Sequence, residues 1–205
     1  MYFSSILKNI IDYKINCVNN MNEQLNDFLT RTITVLDKVK NDALTKEFIF
    51  DIDCSDLKDY LNNNILKTEE YSDLFKRLCE MKGPVLYWFE ILSDNTNDSI
   101  IASLRGYKRL KDHRAIPYFK ESYDRHTRIL YVGKCKRDFY GRVIQHLGYF
   151  TTPTIQGLQL YHWAKDINLK VRIHAIEFPN EMEDIMPIVE SFFAKQLHPL
   201  IGKHI

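Results

Sequence analysis

The hydrophobic period of the chain changes at Gly83-Pro84, and this change limits the fold more than any other feature of the sequence. Before it, apolar residues recur every three or four positions, a spacing that predicts helices. After it, the segment VLYWFEIL at 85–92 alternates its side chains between two faces, which predicts a β-strand. A proline directly after a glycine does not continue a helix. The sequence therefore predicts an N-terminal helical region over 1–82 and a second domain over 83–205.

The second domain is expected to alternate strands with helices. After the first strand the pattern predicts a basic insert at about 93–127, a strand at 128–133, helices at 138–147 and 151–168, a strand at 169–178 and a final helix from Asn180. Pro187 lies inside the last helical pattern, so we expect a kink or a new start there. Three strands with helices between them predict an α/β (α+β) fold, with a small three-stranded mixed sheet flanked by helices.

The formal net charge of +1 conceals an uneven distribution. Residues 105–146 contain twelve Lys or Arg against four Asp or Glu, whereas residues 1–82 contain eleven basic and fourteen acidic side chains. A clustered positive field attracts polyanions, and phosphate neutralisation is the main source of nucleic-acid affinity. A solvated helix face would carry the same charges, so charge alone leaves the two interpretations even. If this part of the chain follows DNA, its expected contacts are Arg105, Lys108, Arg109, Lys111, Arg114, Lys136 and Arg137.

Composition excludes several other classes of protein. Apolar residues make up 45% of the chain, enough for a packed core, but no run approaches the roughly 18 apolar residues of a membrane span. The four cysteines form no CxxC pair and the seven histidines no HxxxH pair, which favours free thiols and provides no zinc spacing. We expect a cytoplasmic protein without a membrane segment.

Several short motifs occur in a characteristic order in the second domain. They are VLY at 85–87, YVGK at 131–134, Arg142 with His146 one helical turn later, Glu190, and HPLIGK at 198–203. Over residues 84–204 this order resembles the GIY-YIG nuclease family, whose members have a small three-stranded sheet and cut nucleic-acid phosphodiesters with a divalent metal. Two features depart from the family pattern: the gap from Tyr87 to Tyr131 is long, and Gly202 stands where many members have asparagine.

The resemblance implies how charge at the phosphate would be managed. Glu190 would be the metal ligand, for Mg²⁺ or Mn²⁺, because one carboxylate suits an ion that keeps several waters. Arg142 would meet phosphate oxygens with its planar fork of donors. Lys134, directly after the turn glycine, would steady the phosphate or lower the pKa of a nearby phenol. The ordinary alternative for Glu190 is an exposed helix glutamate, and for Arg142 a surface arginine.

The resemblance also makes two tyrosines candidates for the general base. A phenol with a pKa of about 10 is a poor base at neutral pH, so nearby cations would have to lower that pKa. We expect Tyr87 to be the base and His146 to take its proton, with Tyr131 orienting the water or the phosphate. The reverse assignment of the tyrosines stays open, as does simple packing of both rings in the sheet.

Together these features predict a metal-dependent endonuclease acting on DNA, of a restriction or phage-defence type. Cutting both strands with one site per chain would require a homodimer or two successive nicks. One alternative is a DNA-binding module of the same fold that does not cleave and acts within an assembly. Another is a regulatory protein whose N-terminal helices bind a second protein.

Overall fold

The computed structural model divides the chain into two compact units, Met1–Ala43 and Leu44–Ile205. The first unit contains one long helix, α1 (Tyr2–Asn41), on which the apolar side chains Met21, Leu25 and Phe28 are exposed. The residues that the structure describes are 2–41, 46–61, 64–119, 122–150 and 152–203, with side chains from residue 21 onward.

Among its described residues, the second unit contains four strands and five α-helices. In chain order these are β1 (Lys46–Asp53), α2 (Ser72–Cys79), β2 (Val85–Ile91), α3 (Asn97–Lys108), β3 (Ile129–Cys135), α4 (Phe139–Leu147), α5 (Leu160–Trp163), β4 (Lys170–Glu177) and α6 (Met186–Leu197). The α+β class predicted from the sequence is confirmed, and so are the strands at β2, β3 and β4.

The sheet differs from the prediction in size and direction. Its strand order is β1-β4-β2-β3, and all three neighbouring pairs are antiparallel, so the expected three-stranded mixed sheet is wrong. The additional strand, β1, lies within the region 1–82 that was expected to be helical throughout. Phe48, Phe50 and Ile52 lie on its more buried face and alternate with the exposed Glu47, Ile49 and Asp51, a strand period that the helical pattern around it concealed.

Three helices also differ from their predicted bounds. The sequence of the insert has a helical pattern over 97–114, but α3 ends at Lys108. Only Leu160–Trp163 is α-helical within the predicted segment 151–168. α6 begins at Met186 with Pro187 in its first turn, where the missing N–H of proline removes no helical hydrogen bond. The expected new start at Pro187 is therefore confirmed.

The two faces of the sheet are covered differently. The face that carries Tyr87 and Phe89 packs in the main core with residues of α2, α3, α4 and α5. α6 contacts β3 and β2. Because side chains alternate along a strand, Lys134 points away from the main core, and its contact with Glu190 places α6 on the opposite face. Across the residues that the structure describes, no helix has both the length and the apolar character needed to cross a membrane.

Candidate active site

The site is built around a cross-strand pair, Tyr87 on β2 opposite Gly133 on β3. The Tyr87 ring is fully buried, and its hydroxyl lies against the Gly133 backbone. A Cβ at Gly133 would lie 2.6 Å from the Tyr87 Oη and 2.6 Å from Cε1 of Tyr131, closer than real Cβ contacts. Glycine at this position is therefore what allows the two phenol rings to lie together, with centroids 6.1 Å apart.

His146 on α4 donates a hydrogen bond to the Tyr87 hydroxyl. Its ring is completely buried, Nδ1 accepts a hydrogen bond from the Leu158 N–H at 3.1 Å, and Nε2 lies 2.9 Å from the Tyr87 Oη. Burial, and next the charge of Arg142, hold the pKa of His146 well below 6.5, so the ring is neutral. A neutral imidazole whose Nδ1 is an acceptor carries its hydrogen on Nε2. This is the reverse of the expected arrangement, in which His146 takes a proton from a tyrosine.

Arg142 reaches the same hydroxyl from the preceding turn of α4. Its Nε donates to the Tyr87 Oη at 3.0 Å, and its Nη1 donates to Gln145 Oε1 at 2.7 Å and to the Gln156 carbonyl at 2.6 Å. The Tyr131 phenol also interacts with the guanidinium. Because these three bonds use the Nε hydrogen and both hydrogens of Nη1, only the two hydrogens of Nη2 are left for the Tyr131 phenol and for a phosphate oxygen.

The two tyrosines have different environments. Burial raises the pKa of Tyr87 well above 10, the neighbouring Tyr131 adds to the rise, and the charge of Arg142 opposes it. The expected lowering of this pKa by nearby cations is therefore outweighed by desolvation. The Tyr87 oxygen is enclosed by two donors, whereas Tyr131 keeps 9% of its surface exposed and lines a cavity. The geometry thus favours Tyr131 as the phenol that meets the substrate and Tyr87 as the one that positions Arg142.

Lys134 and Glu190 form a second group. The Lys134 Nζ lies 3.5 Å from the Glu190 Oε2, and both side chains are largely buried. Lys134 follows Gly133 on β3, so it points to the sheet face opposite Tyr131. The predicted site residues therefore lie in two groups on opposite faces of the sheet: Tyr87, Tyr131, Arg142 and His146 on the face of the main core, and Lys134 and Glu190 on the face that α6 covers. A phosphate that touches both groups would have to lie at the end of β3, where the two faces of the sheet meet.

The number of metal-ligating side chains near Glu190 limits which metal ion could bind there. Within the described parts of the chain, no cluster of three or more His, Cys, Asp or Glu side chains is placed to hold a metal ion. A single carboxylate is too few ligands for zinc, but it suits Mg²⁺ or Mn²⁺, which take water and phosphate oxygens as further ligands. Glu190 therefore fits a hydrated Mg²⁺ or Mn²⁺ that binds together with a phosphate.

Three of the cations predicted to contact DNA are exposed at the end of α3 and just beyond it. They are Lys108, Arg109 and Lys111, called here the exposed insert cations. Arg105, one turn earlier on α3, is only partly exposed. The helix buries Ile101 and Leu104 in the core, which directs its basic residues outward.

The other predicted DNA contacts have protein partners. Arg114 donates from Nη1 to the Phe150 carbonyl, which ties the insert to the loop after α4. Lys136 and Arg137 both pair with Glu183, at 3.1 and 3.5 Å. These exposed pairs contribute little to stability, and the carboxylate reduces the positive charge that the two cations present to a polyanion.

Of the residues that surround Tyr131, the sequence motifs included only Gly202 and Lys203, which belong to HPLIGK at 198–203. A cavity of about 200 Å³ beside this ring is lined by Pro117, Tyr118, Tyr131, Gln156, Gly202 and Lys203. Gly202 has φ of +131°, which residues with side chains rarely adopt, so an asparagine at this position would be strained. Tyr118 comes from the basic insert, and no local pattern connects it with Gln156.

Comparison with known proteins finds no similar protein. The sequence matches no protein-family model, no curated protein and no solved structure at a significant level. Any proposal about function therefore depends on the geometry of the site and on the order of its motifs.

Proposed function

We propose that the protein is an endonuclease of the GIY-YIG type that hydrolyses DNA phosphodiester bonds with the help of a divalent metal. The observation that supports this most directly is the buried cluster in which Arg142 and His146 both donate to the Tyr87 hydroxyl. The same residues carry the sequence resemblance, although they lie 55 and 59 positions apart from Tyr87. Packing alone would not require a guanidinium to be held beside two phenols in this way.

Arg142 is the group that stabilises negative charge on the phosphoryl oxygens. Its three hydrogen bonds fix the plane of the guanidinium before a substrate arrives. A donor that is already oriented needs no reorganisation when charge builds up, and it acts more strongly where water is excluded. Tyr87 and His146 are positioning residues, because they hold this plane without reaching the solvent.

Tyr131 is the phenol that contacts the attacking water or the phosphate. Glu190 would hold the metal, which supplies Lewis-acid stabilisation of the phosphate charge and makes its bound water more acidic. Lys134 would balance the charge of the Glu190 carboxylate and donate to a phosphate oxygen. The exposed insert cations would follow the DNA backbone and set affinity rather than sequence preference. A chain with one such site cuts a duplex by pairing with a second copy or by two successive nicks, so a homodimer belongs to the proposal.

A second candidate function is DNA binding without cleavage. It is favoured by two observations. Tyr87 is fully buried and its pKa is raised, and the Glu190 carboxylate is paired with Lys134. Such a module would bind DNA through its basic insert and would gain nothing from a metal.

Cleavage of supercoiled plasmid with Mg²⁺ distinguishes the two candidates. The wild-type chain is compared with Glu190→Gln, Arg142→Lys and Tyr131→Phe, and nicked and linear products are quantified on gels. We expect each variant to lose roughly a hundredfold or more in rate, the magnitude typical of removing one transition-state donor. Cutting at the wild-type rate by Glu190→Gln and Arg142→Lys together would overturn the assignment.

The control is Glu181→Gln, which neutralises an exposed carboxylate shortly before α6. It should cut at the wild-type rate. Thermal unfolding of every variant shows whether a lost activity reflects a lost fold. Retained DNA affinity with no metal-dependent cutting by the wild-type chain would favour the binding module.

A further inference from the structure

The cavity beside Tyr131 is a built feature of the fold. The Gly202 N–H donates to the Tyr118 carbonyl at 2.7 Å, and Ile201 forms bridges with both Phe119 and Tyr131. The end of the basic insert and the C-terminal segment are therefore added, one after the other, to the sheet edge at β3. The walls of the cavity are held by backbone hydrogen bonds, so its shape does not depend on flexible side chains alone.

The cavity adjoins the place where a phosphate would bind. Gln156 lines the cavity, and its carbonyl accepts a hydrogen bond from Arg142 Nη1 at 2.6 Å. Tyr131 belongs both to the cavity wall and to the group around Arg142. A nucleotide whose phosphate rests on the guanidinium would therefore have its sugar and base next to this opening.

The lining residues have the chemistry that recognises a base taken out of a stack. Tyr118 keeps half of its surface exposed and offers an aromatic face, with Pro117 beside it as an apolar wall. The Gln156 amide carries both donors and an acceptor for the edge of a base, and Lys203 adds a cation. Pockets for extruded bases combine stacking with hydrogen bonds in this way. At about 200 Å³ the cavity is smaller than pockets for drug-sized ligands, so it suits one base and not a base pair.

We propose that this cavity binds one unpaired nucleotide next to the scissile phosphate, so that the preferred substrates carry an unpaired base at the cut. This inference rests on the proposed function for the position of the phosphate. It adds the class of substrate: single-stranded, bulged or branched nucleic acid in preference to an uninterrupted duplex.

Binding is measured by fluorescence anisotropy with Glu190→Gln and no metal, so that cleavage does not interfere. Three labelled oligonucleotides share one sequence: a full duplex, the same duplex with one unpaired central nucleotide, and the second form with that base removed to leave an abasic site. We expect the unpaired base to tighten binding roughly tenfold over the abasic form, in the range typical of stacking on an aromatic side chain. Equal affinities for the two would overturn the proposal.

Variants in the Glu190→Gln background assign the effect to the cavity. Tyr118→Ala should abolish the preference for the unpaired base, and Tyr118→Phe should keep it because the ring is retained. The matched control is Leu110→Ala, which removes an exposed apolar side chain elsewhere in the insert and should leave the preference intact. A preference that survives Tyr118→Ala, or that is lost equally in Leu110→Ala, would contradict the cavity as the binding site.

Cleavage of the same three oligonucleotides by the wild-type chain with Mg²⁺ separates this inference from the proposed function. Cuts at the phosphate beside the unpaired nucleotide support both. Cuts without any preference for the unpaired base would contradict the cavity proposal and support the nuclease proposal. A Tyr118-dependent binding preference with no cleavage of any substrate supports the cavity and contradicts the nuclease.

Discussion

Replacing Gly133 with alanine tests whether the close approach of two tyrosine rings shapes the site. The added Cβ would lie 2.6 Å from the Tyr87 Oη, 2.7 Å from its Cζ and 2.6 Å from Tyr131 Cε1. Ordinary contacts begin at 3.4 Å, so the rings would have to retreat by about 0.8 Å, the difference between 3.4 and 2.6 Å. The Tyr87 ring is not free to do so, because it is fully buried and also packs against Phe139 at a centroid distance of 5.0 Å.

The retreat of Tyr87 would break its hydrogen bonds. A displacement of about 0.8 Å away from His146 and Arg142 would lengthen these distances from 2.9 and 3.0 Å to roughly 3.7 and 3.8 Å, beyond the useful range. Overpacking of a core costs about 1–3 kcal/mol, and each weakened bond costs about 1 kcal/mol. With two bonds weakened, we therefore expect the free energy of unfolding to fall by roughly 3–5 kcal/mol. For a unit of this size that corresponds to a decrease in Tm of roughly 5–20 °C.

Thermal unfolding followed by circular dichroism measures this effect, and Gly141→Ala is the matched control. A Cβ at Gly141, on α4, meets nothing within 4 Å, so alanine there should raise the stability by up to about 1 kcal/mol through helix propensity. Cleavage by Gly133→Ala should fall about a hundredfold, because displacing a catalytic group by 1 Å has an effect of that order. If Gly133→Ala melts within about 2 °C of the wild-type chain and cuts as fast, the role assigned to this glycine is wrong.

Three other features of the structure lead to predictions of their own. Because the pKa of His146 is held well below 6.5, the unfolded chain binds a proton near that pH that the folded chain does not. The free energy of unfolding should therefore fall as the pH drops below about 6.5, by up to about 1.4 kcal/mol per pH unit. In urea titrations between about pH 7 and 5, the slope of this free energy against pH should be smaller in His146→Gln by the equivalent of one proton, and an unchanged slope would contradict the neutral ring. The Glu177 carboxylate accepts the N–H groups of Lys82 and Gly83 at 2.5 and 2.6 Å, so Glu177→Ala should lower the free energy of unfolding by about 2–4 kcal/mol in the same titrations, and a loss under about 0.5 kcal/mol would argue against this turn contact. Replacing all three exposed insert cations with alanine should weaken the salt dependence of DNA binding. The slope of the logarithm of the binding constant against the logarithm of the salt concentration should become smaller by about 0.9 for each phosphate that is no longer neutralised, whereas an unchanged slope would place the DNA elsewhere.

Local sequence patterns were sufficient for most of the second unit. Alternation predicted the strands at β2, β3 and β4 to within two residues, although only β4 alternates between buried and partly exposed side chains along its whole length, whereas β2 and β3 are buried on both faces over several residues. The pattern after Asp138 predicted α4 in the same way. These signals are local because a strand or a helix sets its own side-chain period.

Other elements could not be obtained from local patterns. β1 pairs with β4 from 117 to 131 positions away, Lys46 with Glu177 at one end and Asp53 with Lys170 at the other, and its period was hidden among helices. The predicted helix over 151–168 fails because Gln159 adopts φ of +57° immediately before α5, which interrupts the helical backbone. Both outcomes depend on contacts with distant parts of the chain.

For the candidate site, the residue order was enough to identify the available groups: two strand tyrosines, a glycine, and an arginine and a histidine on one helical turn. Folding was needed to establish that His146 donates rather than accepts, that Tyr87 is sealed while Tyr131 lines a cavity, and that Glu190 pairs with Lys134. The difference arises because protonation, hydrogen-bond direction and solvent access depend on burial and on partners that folding brings together, and neither is encoded in the spacing of residues along the chain.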